Sequence, residues 1–465
     1  MKKILALVLV LVLSVGVFLV GCSPAEDQTE TEEPKQEEQE ASDSEDEEAS
    51  DADKEEKAED DKVEIKLISG AVGNELENNK KLAEMYEKEN PNVDIEIFDS
   101  PDASDGRLGL YLQFLEAQSS DVDIYQIDVV WPGDLAQHMI DLNEYGAKEV
   151  TDKHFEAIVD NNTVDGKLVA MPWFTDAGLL YYRSDLLEKY DLDVPETWDE
   201  LENAAKTIQA GEREEGNQDF WGYIWQGNSY EGLTCDALEW VKSNGGGNII
   251  SKDKKITINN EKAKEIIKQA SGWVGTISPE GVTSFQEEDA RNMFQGGNAA
   301  FMRNWPYAYS LAKSDDSAIK GKFGVSPLPK GDSGNSAATL GGWQLAVSKY
   351  SEHPEIAADV ALFMTSEKAQ KFKAIEGSKN PTIKSLYEDE EVLEATPFFG
   401  KLYDVFTNAA ARPSTQTAPS YKAVSTSFYK SVHTVLTGEM EADTALEKLE
   451  LDLQDITGYE VGEVK

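Results

Sequence analysis

The sequence predicts an α/β protein built as two lobes around a ligand cleft. From residue 63 onward, strand-like apolar runs alternate with stretches of helical spacing, the order expected of a doubly wound parallel sheet. About 400 residues lie beyond that point, too many for one ordinary core, so two lobes are expected. Two glycine-flanked aromatic segments, 296–309 and 340–343, stand late in the chain, and glycine lets backbone come close to a ligand.

Residues 63–69 alternate as a strand, 74–90 carry helical spacing through Leu76, Lys80, Ala83 and Tyr86, and 93–98 alternate again, a β-α-β opening. Residues 108–118 read as a second amphipathic helix and 122–130 as a continuous apolar strand. Ligands of such sheets sit beyond the strand C-termini. Three polar groups belong there: Glu75 in the first strand-to-helix turn, Arg107 after the second strand, and Asp128 at the end of the third. A carboxylate accepts from a ligand's adjacent hydroxyls and a guanidinium donates in a fork. Each also fits an ordinary exposed charge, and Glu77 could replace Glu75 after a small register change.

Asp165-Gly166-Lys167 reads as a turn between strands, and Thr197 with Glu200 stands at capping-box spacing before a helix. Helices follow near 233–243 and 261–274, strands at 323–328 and 340–347, then helices over 354–375, 421–436 and 443–456. Trp221, Tyr223, Trp225, Tyr230 and Trp240 are candidates for sugar contacts, but core packing suits most of them better.

After Gly296-Gly297, the run 299–309 places Trp305, Tyr307 and Tyr309 within five residues, and Leu340-Gly341-Gly342-Trp343 puts another indole beside two glycines. Trp305 and Tyr307 offer flat apolar faces with polar tips, which suits a pyranose; a buried aromatic cluster fits the same rings. These two segments resemble the extracellular solute-binding proteins of carbohydrate ABC importers, particularly the trehalose/maltose-binding branch, over roughly residues 63–458.

The resemblance implies a type II periplasmic-binding-protein-like fold, two α/β lobes joined by a three-crossing hinge, and a binding protein without enzymatic activity or cofactor. It implies that Asp128 in Gln-Ile-Asp-Val-Val-Trp, with Glu75 and Arg107, holds the sugar, and that Phe174 and Asp176 turn a ring and a carboxylate towards it. Relatives expected to bind maltose-type sugars carry tyrosine where Phe174 stands, and Asp176 also fits a cap of the following segment. Ala411-Arg412-Pro413 matches a family segment whose arginine contacts ligand, while Trp305, Tyr307, Gly341 and Trp343 would form the stacking walls.

At the other end, Lys2 and Lys3 precede an apolar run over 4–20 that closes on Leu19-Val20-Gly21-Cys22, read as a signal peptide (1–21) with a lipobox. The Cys22 thiol would take a diacylglycerol as a thioether, and two or three acyl chains would anchor the protein to the bilayer. A transmembrane anchor is the competing reading, since about 17 apolar residues is the short end of what spans a membrane. Residues 23–62 hold 20 acidic and 4 basic residues, with no aromatic and no Val, Ile, Leu or Met. With Cys22 they read as an extended, disordered tether over 22–62.

Of the formal charge of −46, the tether carries −16 and the first 21 residues +2, leaving −32 on the remainder. That excess argues against nucleic acid as a partner and disfavours anionic ligands such as sugar phosphates. Cys22 and Cys235 are the only cysteines, so no disulfide framework exists, and the four histidines lack metal-ligand spacing. The expected segments are 63–174 and 342–400 for the N-terminal lobe, and 175–341 and 401–465 for the C-terminal lobe.

The reading that joins these parts is a lipid-anchored monomer on the extracellular face of the cytoplasmic membrane, which hands a carbohydrate to ABC permease subunits. A secreted glycoside hydrolase is the rival of another class, although no carboxylate pair stands out for it. The same fold holding a polyamine, an iron chelate or glycerol phosphate is the second rival, and Arg107 and Arg412 in the cleft argue against the polyamine.

Overall fold

Strand β1 (Val63–Ser69) and β2 (Val93–Asp99) pair in parallel, from Val63 opposite Val93 to Ser69 opposite Asp99, with the helix Glu75–Glu89 between them. A computed structural model supplies these coordinates and describes residues 62–407 and 409–464, so the apolar N-terminal run, Cys22 and nearly all of the acidic stretch lie outside the described residues. The helix Ser104–Glu116 leads to β3 (Ile124–Asp128), parallel to β1. That helix begins four residues earlier than its apolar spacing suggests, which puts Arg107 on its first turn rather than in a loop.

A short hairpin of β4 (Thr163–Val164) and β5 (Lys167–Leu168) turns at Asp165 (φ 50) and Gly166 (φ 80), two left-handed residues in the arrangement that matches strand twist. Strand β6 (Met171–Ala177) then leaves the first sheet, and after Gly178 the chain enters the second sheet as β7 (Leu179–Arg183). The second sheet is completed by β8 (Trp221–Ile224), β9 (Ala299–Asn304) and β10 (Phe323–Ser326), in the order β10-β7-β9-β8. Strand β11 (Leu340–Val347) returns to the first sheet, whose order is β2-β1-β3-β11-β6.

The first sheet is therefore mixed rather than purely parallel as its strand-helix alternation suggests. Strand β11 runs antiparallel to both neighbours, β3 and β6, because it re-enters from the second sheet beside the strand that leaves for it. Its alternating residues feed two cores. Leu345 and Val347 join Ile65, Leu67 and the helix residues Leu82 and Tyr86 on one face; Ala346 joins Ile68, Tyr125, Tyr111 and Trp131 on the other. The second sheet has its own core, with Trp198, Tyr223, Trp225, Trp240 and Trp273 buried together. Four of the five aromatics singled out at 221–240 thus have no free ring face in the cleft: Tyr223, Trp225 and Trp240 are core, and Trp221 stacks on Arg213.

Local chemistry explains several boundaries. Thr197 and Glu200 make both bonds of a capping box at the helix Trp198–Glu214. The continuous helix expected over 354–375 is two helices, Pro354–Met364 and Glu367–Gly377, because Ser366 breaks the run and its hydroxyl accepts from the Ala369 amide. Near the crossings, Leu340 N donates to Ala410 O (2.9 Å) and Ala410 N to Ala338 O (2.7 Å), while Thr175 N donates to Asn380 O (2.9 Å). Segments connecting the lobes therefore hold one another.

Candidate ligand-binding site

The two sheets enclose a cavity of about 80 Å³. Strand register brings its wall together. Asp128, the last residue of β3, stands opposite Trp343, and Gly341 stands opposite Asp176. A Cβ at Gly341 would lie 3.1 Å from the Trp305 ring and 3.2 Å from Asp176 Cβ, so a side chain there would press the indole back from the crossing strand. Glu75, Arg107, Asp128, Asp176, Trp305, Tyr307, Gly341, Trp343 and Arg412 all line the cavity. Phe174 does not: its ring is buried beneath the ammonium groups of Lys379 (4.5 Å) and Lys373 (4.7 Å), so it supports a charged wall instead of facing a ligand.

The lobes meet around this space. The helix Ser104–Glu116 of the first touches the helix Glu231–Ser243 of the second. On another side, Gly73 (φ 64) packs so tightly against Tyr307 and Leu311 that an added Cβ would lie 2.9 Å from Leu311. The lobes thus touch on two sides of the cleft.

Each indole in the wall has a cation on its ring. Arg303 holds its guanidinium 3.9 Å from the Trp305 ring centre, and Arg107 lies 4.2 Å from that of Trp343, which also packs edge-on against Trp131. Trp305 Nε1 donates to Glu287 Oε1 (3.3 Å), Tyr230 donates to the other oxygen of Glu287 (2.7 Å), and Tyr307 donates to Glu288 (2.7 Å). Arg107 is pinned through Nε to Pro101 O (3.2 Å), yet its buried Nη1 has no hydrogen-bond partner among the described residues.

The charges fall into two groups. Arg412 donates through Nη2 to Asp128 Oδ1 (2.8 Å) and through Nη1 to Glu231 Oε1 (2.7 Å), joining a carboxylate of each lobe. Ser104 adds a bond to Asp128 (3.1 Å), and Tyr421 and Ser425 donate to Glu231. On the far side, Lys379 donates to Glu75 (3.1 Å), which also accepts from Gln126 (2.8 Å). Burial pushes the Glu75 carboxyl up, but Lys379, Lys373 and Arg107 outweigh it and hold the group below its ordinary value. Asp176 shows the opposite balance. Burial pushes it up to about 7, against the pull of Lys379, and its Oδ1 has no partner among the described residues.

Such a wall suits a neutral polyhydroxylated molecule, with ring faces for C–H surfaces and charged donors and acceptors for hydroxyls. Glu231, Glu287, Ser104 and Lys379 also line or brace it, and sequence reading missed their part; Tyr230, one of the five aromatics singled out at 221–240, lines it as well. Glu231 had one faint signal, an acidic residue directly after the aromatic Tyr230 at a helix start; Lys379 had none, because it reaches Glu75 across 304 positions of chain.

Comparison with known proteins agrees with this geometry. Residues 55–371 match the family described as bacterial extracellular solute-binding protein. A probable ABC transporter-binding protein of Deinococcus radiodurans is 51% identical over 397 residues, which span 85% of this chain and 94% of that one. The structure of maltose-bound T. maritima MalE3 superposes with a TM-score of 0.80 at 42% identity, covering 84% of this chain and 99% of the other. The maltodextrin-binding protein MdxE of Bacillus subtilis is 27% identical over 317 residues, 60% of this chain and 70% of its own length. These similarities lie with binding proteins and not with enzymes, and the chain belongs to the bacterial extracellular solute-binding protein family.

Proposed function

We propose that the protein binds a short neutral saccharide of the maltose or trehalose type and delivers it to the permease of an ABC importer. The observation that carries this is the cavity walled by Trp305, Tyr307 and Trp343, with Arg107, Asp128, Asp176 and Arg412 lining the same space. Similarity to an ABC transporter-binding protein and to a maltose-bound structure supports the ligand class and the importer. The lining residues surround a compact space, which favours a short saccharide over a long chain.

In this reading Trp305 and Tyr307 form the second lobe's stacking wall and Trp343 the first lobe's, while Asp128, Asp176 and Glu75 accept from hydroxyls and Arg107 and Arg412 donate. Contacts made with both lobes at once favour the closed form, which is the form the permease receives. Cys22 carries the lipid anchor, residues 22–62 are the spacer, and the protein works as a monomer outside the cytoplasmic membrane. Against a polyamine, Arg107, Lys379 and Arg412 stand among the six lining carboxylates, and Lys379 and Arg412 already bond Glu75, Asp128 and Glu231.

Native mass spectrometry with maltose, trehalose, maltotriose, maltohexaose and spermidine tests the proposal. The expected result is a one-to-one complex with a disaccharide, weaker retention of maltohexaose, and no spermidine adduct. Retention of spermidine with no saccharide bound would overturn it.

A further inference from the structure

The ligand wall leaves one buried cluster unused. Arg303 is outside the cavity lining, so its guanidinium covers the face of the Trp305 ring turned away from the ligand space. Its Nε and Nη2 fork onto Glu239 at 2.9 and 2.6 Å, Nη1 donates to Gln226 (3.1 Å), and Asp236 stands 2.9 Å from Nε. A buried arginine with two carboxylates is a poor device for stability alone, because apolar residues of similar volume usually do as well. What distinguishes this cluster is where it rests.

Glu239 Oε1 accepts from the Thr339 amide (3.0 Å), one residue before β11 begins. A Cβ on Gly178, between β6 and β7, would lie 2.1 Å from that same oxygen and 2.7 Å from Arg303 Nη2, so the ion pair lies flat on that crossing as well. Thr339 is bridged to Ala410, which leads towards Arg412. One ion pair therefore touches the Trp305 ring and two connecting strands, with a third bound to the second.

We propose that Arg303 and Glu239 are positioning residues that fix the Trp305 ring to the hinge, so that the lobes' relative position sets the ring against the saccharide. The inference rests on the saccharide-binding reading. Arg303→Lys keeps the charge but loses the fork and the planar stack; Gly178→Ala leaves every member of the cluster present and pushes on it from the first crossing. Affinity for maltose or trehalose is measured by calorimetry, and the full-length protein labelled with 5-fluorotryptophan is followed by fluorine NMR, with the Trp305 resonance assigned through Trp305→Phe.

Both variants are expected to lower affinity about tenfold and to move or broaden the Trp305 resonance, leaving those of the core residues Trp198 and Trp273 in place. Unchanged affinity, or a loss in which Trp305 does not move or all tryptophans move alike, would overturn the inference. If the unsubstituted protein binds no saccharide, the functional reading fails first and this inference falls with it.

Discussion

The two indoles that wall the cavity differ in how their cations are balanced. Arg303, behind Trp305, has its charge met by Glu239 and Asp236 and its remaining nitrogen bonded to Gln226. Arg107, on Trp343, is held by a single backbone carbonyl and keeps one buried nitrogen without a partner among the described residues. A guanidinium whose three nitrogens are all bonded within the fold serves to hold its ring in place, whereas one with an unpartnered nitrogen can also hold a ligand. The Trp305 wall is thus a fixed platform, and the Trp343 wall combines platform and donor.

Breaking the fixed platform should have the largest effect. Trp305→Ala removes a central, half-buried ring of the wall and is expected to weaken saccharide binding on the order of 100-fold, read by fluorescence titration. Trp343→Ala is expected to cost about tenfold, since it removes a ring but leaves Arg107 able to donate. Arg107→Lys sharpens the contrast: it should also cost about tenfold in affinity with a smaller loss of melting temperature than Arg303→Lys, because it gives up one hydrogen bond within the fold, Nε to Pro101 O, where Arg303 gives up three. Equal losses of stability and binding would show that Arg107 braces Trp343 instead.

Asp176, between the two walls, gives a pH signature. Its carboxyl sits at about 7 in the folded protein, raised mainly by burial, against an ordinary value of 3.8. Between those values the folded state holds a proton that the unfolded state has released, so this group removes stability as pH rises through that window. Asp176→Asn lacks the effect, and its melting temperature should gain on the parent from pH 4 to pH 7, by the equivalent of a few kcal/mol at about 1.4 kcal/mol per unit. Phe174→Tyr should change affinity by less than about threefold, because its ring lies under Lys379 and outside the cavity lining.

Much of this site was readable in the sequence, for physical reasons. The strand ends that hold Asp128 and Asp176 follow from apolar runs of fixed period, and Trp305, Gly341 and Trp343 sit in compact segments with their own chemistry. Periodicity could not show that β11 runs against its neighbours, since direction depends on how the chain returns from the second sheet. Nor could it show that Arg412 is shared between Asp128 and Glu231, or that Phe174 lies under Lys379, because those partners are separated by 181 to 284 positions for the arginine and 205 for the ring. A side chain's element is local information; the charge it meets is not.

The most direct test is isothermal titration of maltose and trehalose into the purified protein and its Trp305→Ala variant, in buffer of high ionic strength. Saturable one-to-one heat with at least one of the two sugars, lost in the variant, is the predicted result. Heat that survives unchanged in the variant, or silence with both sugars alongside saturable heat with spermidine, would contradict a saccharide site built on that ring.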